Sequence, residues 1–187
     1  MLAYLNLNFT LLLSRSGLSC CFPALTALYH YNKIVIGFGR GSMTCKLIMT
    51  LISESQKGDC GNDWAYDLEV KVFQDGLKGE GTVSVPKHIL KSGEIRKPFG
   101  DPAPLELCRG DCESGLQVKM ELTATEVDVF VNDVGKASKD ITIECPGAGG
   151  HPVTREVDLV ADVREAPRIL NKSAVFTLRV RFSLTNC

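Results

Sequence analysis

Metal-site spacing is missing from this sequence. Its eight cysteines are Cys20, Cys21, Cys45, Cys60, Cys108, Cys112, Cys145 and Cys187, with no CxxC pair, and none of the three histidines stands at chelate spacing from a cysteine. A zinc site is therefore not expected, and dispersed cysteines of this kind point to structural disulfides and an oxidising compartment. Excess charge of either sign is missing too. A net charge of -1 with no basic run gives no electrostatic case for nucleic acid or for an anionic membrane surface. Long apolar runs are absent: Leu5–Leu13 and Leu18–Leu28 both fall short of the ~18–20 residues that a membrane-spanning helix needs, so no stable span is expected. There is no Gly-x-Ser-x-Gly elbow, no His-Glu-x-x-His and no phosphate loop ending in Gly-Lys-Ser/Thr. His88 and His151 sit beside Pro86 and Pro152 in turn-like contexts and read as surface histidines, so no enzyme and no cofactor are expected.

Acidic residues are absent from the first 53 positions, Glu54 being the first. Residues 1–55 read as a degraded or mis-predicted signal or leader region outside the fold: apolar stretches punctuated by Arg15, Lys33, Arg40 and Lys46, without a basic n-region. Residues 60–187 read as one domain of ordinary size. Helical periodicity is missing there, except over Lys87–Gly93, and a period of two replaces it. Trp64, Tyr66, Leu68, Val70 and Val72 alternate with Ala65, Asp67, Glu69 and Lys71, as a strand with one dry face does. Similar runs follow at Val83–Val85, Leu105–Leu107, Leu116–Leu122, Val127–Val131, Ile141–Cys145, Val157–Val163 and Ala174–Leu184. Eight short alternating runs with turn-rich gaps predict an all-β fold, an antiparallel β-sandwich of immunoglobulin-like or C2-like type. Asp59, Asp63, Asp101, Asp133 and Asp140 could ring a calcium ion at one end of such a sandwich. Nothing in the sequence converges them, so solvated loop acids, and no metal, are the expectation.

Between the third and fourth runs lies Cys108-Arg109-Gly110-Asp111-Cys112. A disulfide from Cys108 to Cys112 would close a small ring with a guanidinium and a carboxylate pointing out of it, and Gly110 supplies the positive φ such a bend needs. By the simplest connection the flanking strands are antiparallel neighbours and the ring is a hairpin tip. A core disulfide would then join Cys145 to Cys60 or to Cys187. The tripeptide resembles the adhesion motif read by integrins. That resemblance implies an aspartate completing a divalent cation site on the receptor and an arginine pairing with acidic residues opposite, here Asp111 and Arg109, with Gly110 setting their separation.

A second resemblance covers about two strands. Phe176–Cys187 and Val129–Lys136 are similar to parts of the N-terminal C2-like region of Delta/Serrate-type Notch ligands. It implies an extracellular binding role and carries over no residue. The sequons Asn8-Phe9-Thr10 and Asn171-Lys172-Ser173 fit a secretory route, Asn171 being the candidate acceptor within the sandwich. The sequence thus predicts a secreted or cell-surface glycoprotein that binds a cell-surface receptor or other extracellular protein. The alternative is a non-adhesive structural or receptor-ligand module, a fragment of a larger protein with an incidental Arg-Gly-Asp, binding through Lys91–Pro104 or Pro146–Thr154.

Overall fold

The computed structural model describes residues 26–30, 33–37, 44–112, 115–129, 131–146, 150–165 and 171–186. The chain divides into two units, Met1–Gly41 and Ser42–Cys187. In the first, β1 (Thr26–His30) and β2 (Lys33–Gly37) pair antiparallel, with His30 opposite Lys33.

The second unit is an antiparallel β-sandwich, with nine strands among the described residues. In chain order they are β3 (Thr44–Gly58), β4 (Asp63–Phe73), β5 (Leu77–Ile89), β6 (Ile95–Arg96), β7 (Leu105–Asp111), β8 (Leu116–Glu126), β9 (Asp133–Ile143), β10 (Val153–Arg164) and β11 (Ser173–Asn186). One sheet runs β10-β11-β3-β6, with β7 also paired to β3; the other runs β5-β4-β8-β9. The alternation read from the sequence sets the dry faces. Trp64, Tyr66, Leu68, Val70 and Val72 of β4 and Ala174, Phe176, Leu178, Val180, Phe182 and Leu184 of β11 are all buried. At the centre Phe176 stacks on Trp64 with ring centroids 5.3 Å apart and meets Tyr66 at 5.2 Å.

Glycines let strands of opposite sheets approach closely at both margins. A Cβ on Gly79 of β5 would overlap the carbonyl oxygen of Leu107 on β7, and one on Gly81 would overlap the Leu105 side chain. On the far side, a Cβ on Gly135 of β9 would come within 2.6 Å of the Asp162 carbonyl oxygen of β10. The β5 strand also contains Pro86, which an edge strand tolerates because one row of its backbone groups faces no partner.

Three expectations are corrected. The sandwich begins at Thr44 rather than at residue 60: β3 lies between β11 on one side and β6 with β7 on the other, and buries Cys45, Leu47, Met49 and Leu51. An apolar central strand reads as a leader because its second face, at Ile48, Thr50 and Ile52, is half-buried as well. The strands before and after the Arg-Gly-Asp are not a hairpin, since β7 pairs with β3 while β8 pairs with β4 and β9 in the other sheet. Val127–Val129 and Val131, expected in a strand, lie between the end of β8 and the start of β9, and Val129 is 88% exposed.

Candidate functional site

The Arg-Gly-Asp tripeptide closes β7. Lys46 faces Arg109, Cys45 faces Gly110 and Thr44 faces Asp111, while the register slips between Leu47 and Ile48. That slip leaves Leu107 as an extra residue, a β-bulge that interrupts the alternation. Its consequence is visible in burial: Leu107 is buried and Cys108 half-buried, while Glu106, Arg109 and Asp111 are exposed. Residues three apart on a regular strand point to opposite faces; across the bulge Glu106 and Arg109 share one. Arg109 Nε and Nη2 donate to Glu106 Oε1 and Oε2 at 2.9 and 3.1 Å, and Lys46 Nζ lies 3.4 Å from Oε2. The hydrogen bond from Arg109, more than any other influence, holds the Glu106 carboxyl below the usual carboxylate range. Gly110 has φ of 147°, in the region L side chains avoid, and a Cβ there would meet nothing within 4 Å. Backbone conformation, rather than crowding, is what requires glycine at this position.

The Cys108–Cys112 ring does not form. Cys112 is bonded to Cys145, with Cα atoms 5.7 Å apart, and Cys108 keeps a free thiol. The bulge turns Cys108 back toward Leu47, and Cys112 lies where the chain crosses from β7 toward the other sheet, next to the end of β9. Cys145 is thus joined to Cys112 rather than to Cys60 or Cys187. Cys60 is a buried free thiol donating to the Val163 carbonyl at 3.7 Å. Burial first, then the nearby Asp133, Asp59 and Glu126 carboxylates, push that thiol up to about 11. Cys45 donates to Asn186 Oδ1 at 3.6 Å. Cys187 lies outside the described residues. Asn171 is exposed just before β11, in the left-handed conformation (φ 55°) that asparagine tolerates.

His88, expected at the surface, is buried within a polar cluster linking both sheets. Its Nε2 lies 3.1 Å from Glu54 Oε1, which also accepts from Arg96 Nε at 2.9 Å. Its Nδ1 stands 2.8 Å from the Pro86 carbonyl oxygen. Phe99 stacks over the ring at 5.0 Å and 5°. Burial, followed by the adjacent Glu54 carboxylate, pushes the Tyr66 hydroxyl far up, which keeps it protonated. The cluster ties Arg96 and Phe99, both within the long 91–104 connection, to the sandwich interior. Removing the Glu54 carboxylate would take from Arg96 Nε its acceptor and from the buried His88 ring its polar neighbour.

A third group was only half legible. Glu126, Asp128 and Asp133 each offer a carboxylate oxygen, and the three oxygens lie within 4.8 Å of one another. Glu126 and Asp133 are directly opposed on β8 and β9 and are 4% and 2% exposed. Like charges in that relation repel. Burial first, then Asp128, hold the Glu126 carboxyl above its ordinary value, with Asp133 and Asp63 adding to the effect and a backbone hydrogen bond at Asp63 opposing it. Of Asp59, Asp63, Asp101, Asp133 and Asp140, Asp133 belongs to the cluster and Asp63 stands beside it; Glu126 and Asp128 fall in a stretch whose alternation reads as a strand. No family model matches the chain, and no curated protein matches it.

Proposed function

We propose that this chain is an extracellular binding module, a disulfide-stapled β-sandwich that engages a cell-surface receptor through the Arg109-Gly110-Asp111 end of β7. The observation that carries the reading is the shared outward face of Arg109 and Asp111, with Gly110 between them and Cys112 pinned to Cys145 immediately after. A segment held at its next residue loses less freedom when a partner binds it. The Arg109–Glu106 pair does not block this role. Its side chains are 55% and 41% exposed, and water screens exposed pairs of this kind, so a receptor carboxylate can displace Glu106. Integrin-type recognition is the preferred mode. Cell adhesion in manganese to the immobilised full chain tests it: Asp111→Glu should abolish attachment, because one added methylene moves the carboxylate off the receptor's metal. Equal attachment to parent and variant removes the proposal.

A second reading is favoured by the exposed apolar residues Ile89, Ile95 and Phe99, which lie in or beside the 91–104 connection. Under this reading the Arg-Gly-Asp is incidental. Arg109→Ala is then silent, and Ile95→Ser with Phe99→Ser lowers binding.

A further inference from the structure

Two acidic residues buried face to face at the end of a sheet are costly unless something offsets their charge. Glu126 and Asp133 close the ladder as direct cross-strand partners, and the connection between them brings Asp128 to within 4.8 Å. Room has been made for the Glu126 carboxylate: a Cβ on Gly61 would overlap Glu126 Oε1. Its other oxygen, Oε2, is buried and accepts a hydrogen bond from no donor. A buried carboxylate oxygen without a donor calls for a missing partner. Lys87 stands at the margin, with Nζ 2.9 Å from Asp63 Oδ2 and 3.4 Å from the Val127 carbonyl oxygen. It answers the charge of Asp63 and leaves Glu126 Oε2 as it is.

We infer that Glu126, Asp128 and Asp133 form a divalent-cation site that takes calcium. The ligand set selects the ion. Calcium is held by several protein carboxylates in flexible geometry, whereas magnesium keeps most of its waters and takes one or two. Glu126, Asp128 and Asp133 each offer one carboxylate oxygen within 4.8 Å of the others. Three carboxylates from one connection and its flanking strand ends leave the remaining positions to water, and Asp128 is exposed on that side. Such a site belongs to the weak class, with calcium dissociation constants of about 10⁻⁴–10⁻³ M. Binding would join the ends of β8 and β9 and fix the loop between them.

The single tryptophan supplies the assay. Trp64 is the cross-strand neighbour of Glu126 on β4, so a terbium ion held by Glu126 sits within range of indole sensitisation. With the full chain and terbium alone as probe, excitation of Trp64 should give saturable terbium emission that calcium displaces at about 10⁻⁴–10⁻³ M. Magnesium should need at least tenfold more. Asp128→Asn, at an exposed loop position, should weaken terbium binding at least tenfold, and Glu126→Gln should abolish it. Asp140→Asn, an exposed acid elsewhere on β9, should leave it unchanged. Absence of sensitised emission overturns the assignment, as does emission that Asp128→Asn and Asp140→Asn lower equally. If Glu126→Gln does not fold, the comparison of Asp128→Asn with Asp140→Asn decides.

Discussion

Breaking the Cys112–Cys145 bond should destabilise the sandwich by an amount the sequence separation sets. The bond joins the end of β7 in one sheet to the end of β9 in the other, across 33 residues. The chain-entropy relation for a loop of that length gives about 4 kcal/mol, most of it lost when the unfolded chain is no longer constrained. In a domain of this size each kcal/mol moves the midpoint by about 2–4 °C, so Cys145→Ala should melt roughly 8–16 °C lower. Trp64, fully buried and stacked on Phe176, is the natural reporter, and its emission in a urea titration gives the free energy directly. Cys112→Ala adds a small loss of packing, since Cys112 is also part of the core, while Cys145 is half-buried. Cys108→Ala serves as the control. The reasoning fails if Cys145→Ala costs under about 1 kcal/mol, or if Cys108→Ala costs as much.

Three further outcomes follow from local geometry. Gly79→Ala pushes a methyl into the Leu107 carbonyl and should cost about 1–3 kcal/mol in urea unfolding, although its position on an edge strand looks permissive. In alkylation at pH 7.5, Cys108 should react before Cys60, whose burial and acidic neighbours hold it protonated; Cys60 should label only on unfolding, and early labelling of Cys60 contradicts the assigned burial. Asp158 is held below its ordinary value chiefly by the hydrogen bond from Arg179, whose Nε lies 2.7 Å from Oδ1. A lowered folded value means that this stabilisation is complete above the unfolded carboxyl's value of about 3.9 and is lost as pH falls through the folded one. A carboxyl NMR titration should therefore show Asp158 moving up toward that value in Arg179→Gln, and an unmoved titration would contradict the pairing.

The parts of the fold that were legible are those with one dry and one wet face. β4, β8, β10 and β11 announce themselves by alternation, because water on one side forces polar residues into every second place. β3 hid because its second face is also partly covered: Ile48, Thr50 and Ile52 are half-buried, so the strand reads as a continuous apolar stretch. Glu54, which seemed to mark the end of a leader, is the buried partner of His88 and Arg96. Pairing was the least legible feature. Nothing local to Leu107 or Leu116 says that the chain changes sheets between them, and the partner of Cys112 follows from that crossing. The tripeptide itself was plain in the sequence, but its setting was not: the bulge at Leu107 decides which side chains share a face with Arg109. At the acidic end, Asp133 is legible as a loop acid and Glu126 is not, because a carboxylate among valines reads as the wet face of a strand.

The most direct measurement is equilibrium binding of the immobilised full chain to a soluble integrin ectodomain in manganese. Saturable binding is expected, which a free Arg-Gly-Asp peptide displaces, Asp111→Glu eliminates and Ile95→Ser leaves intact. Binding that is absent from the parent chain, or that survives Asp111→Glu at undiminished strength, contradicts the proposed function.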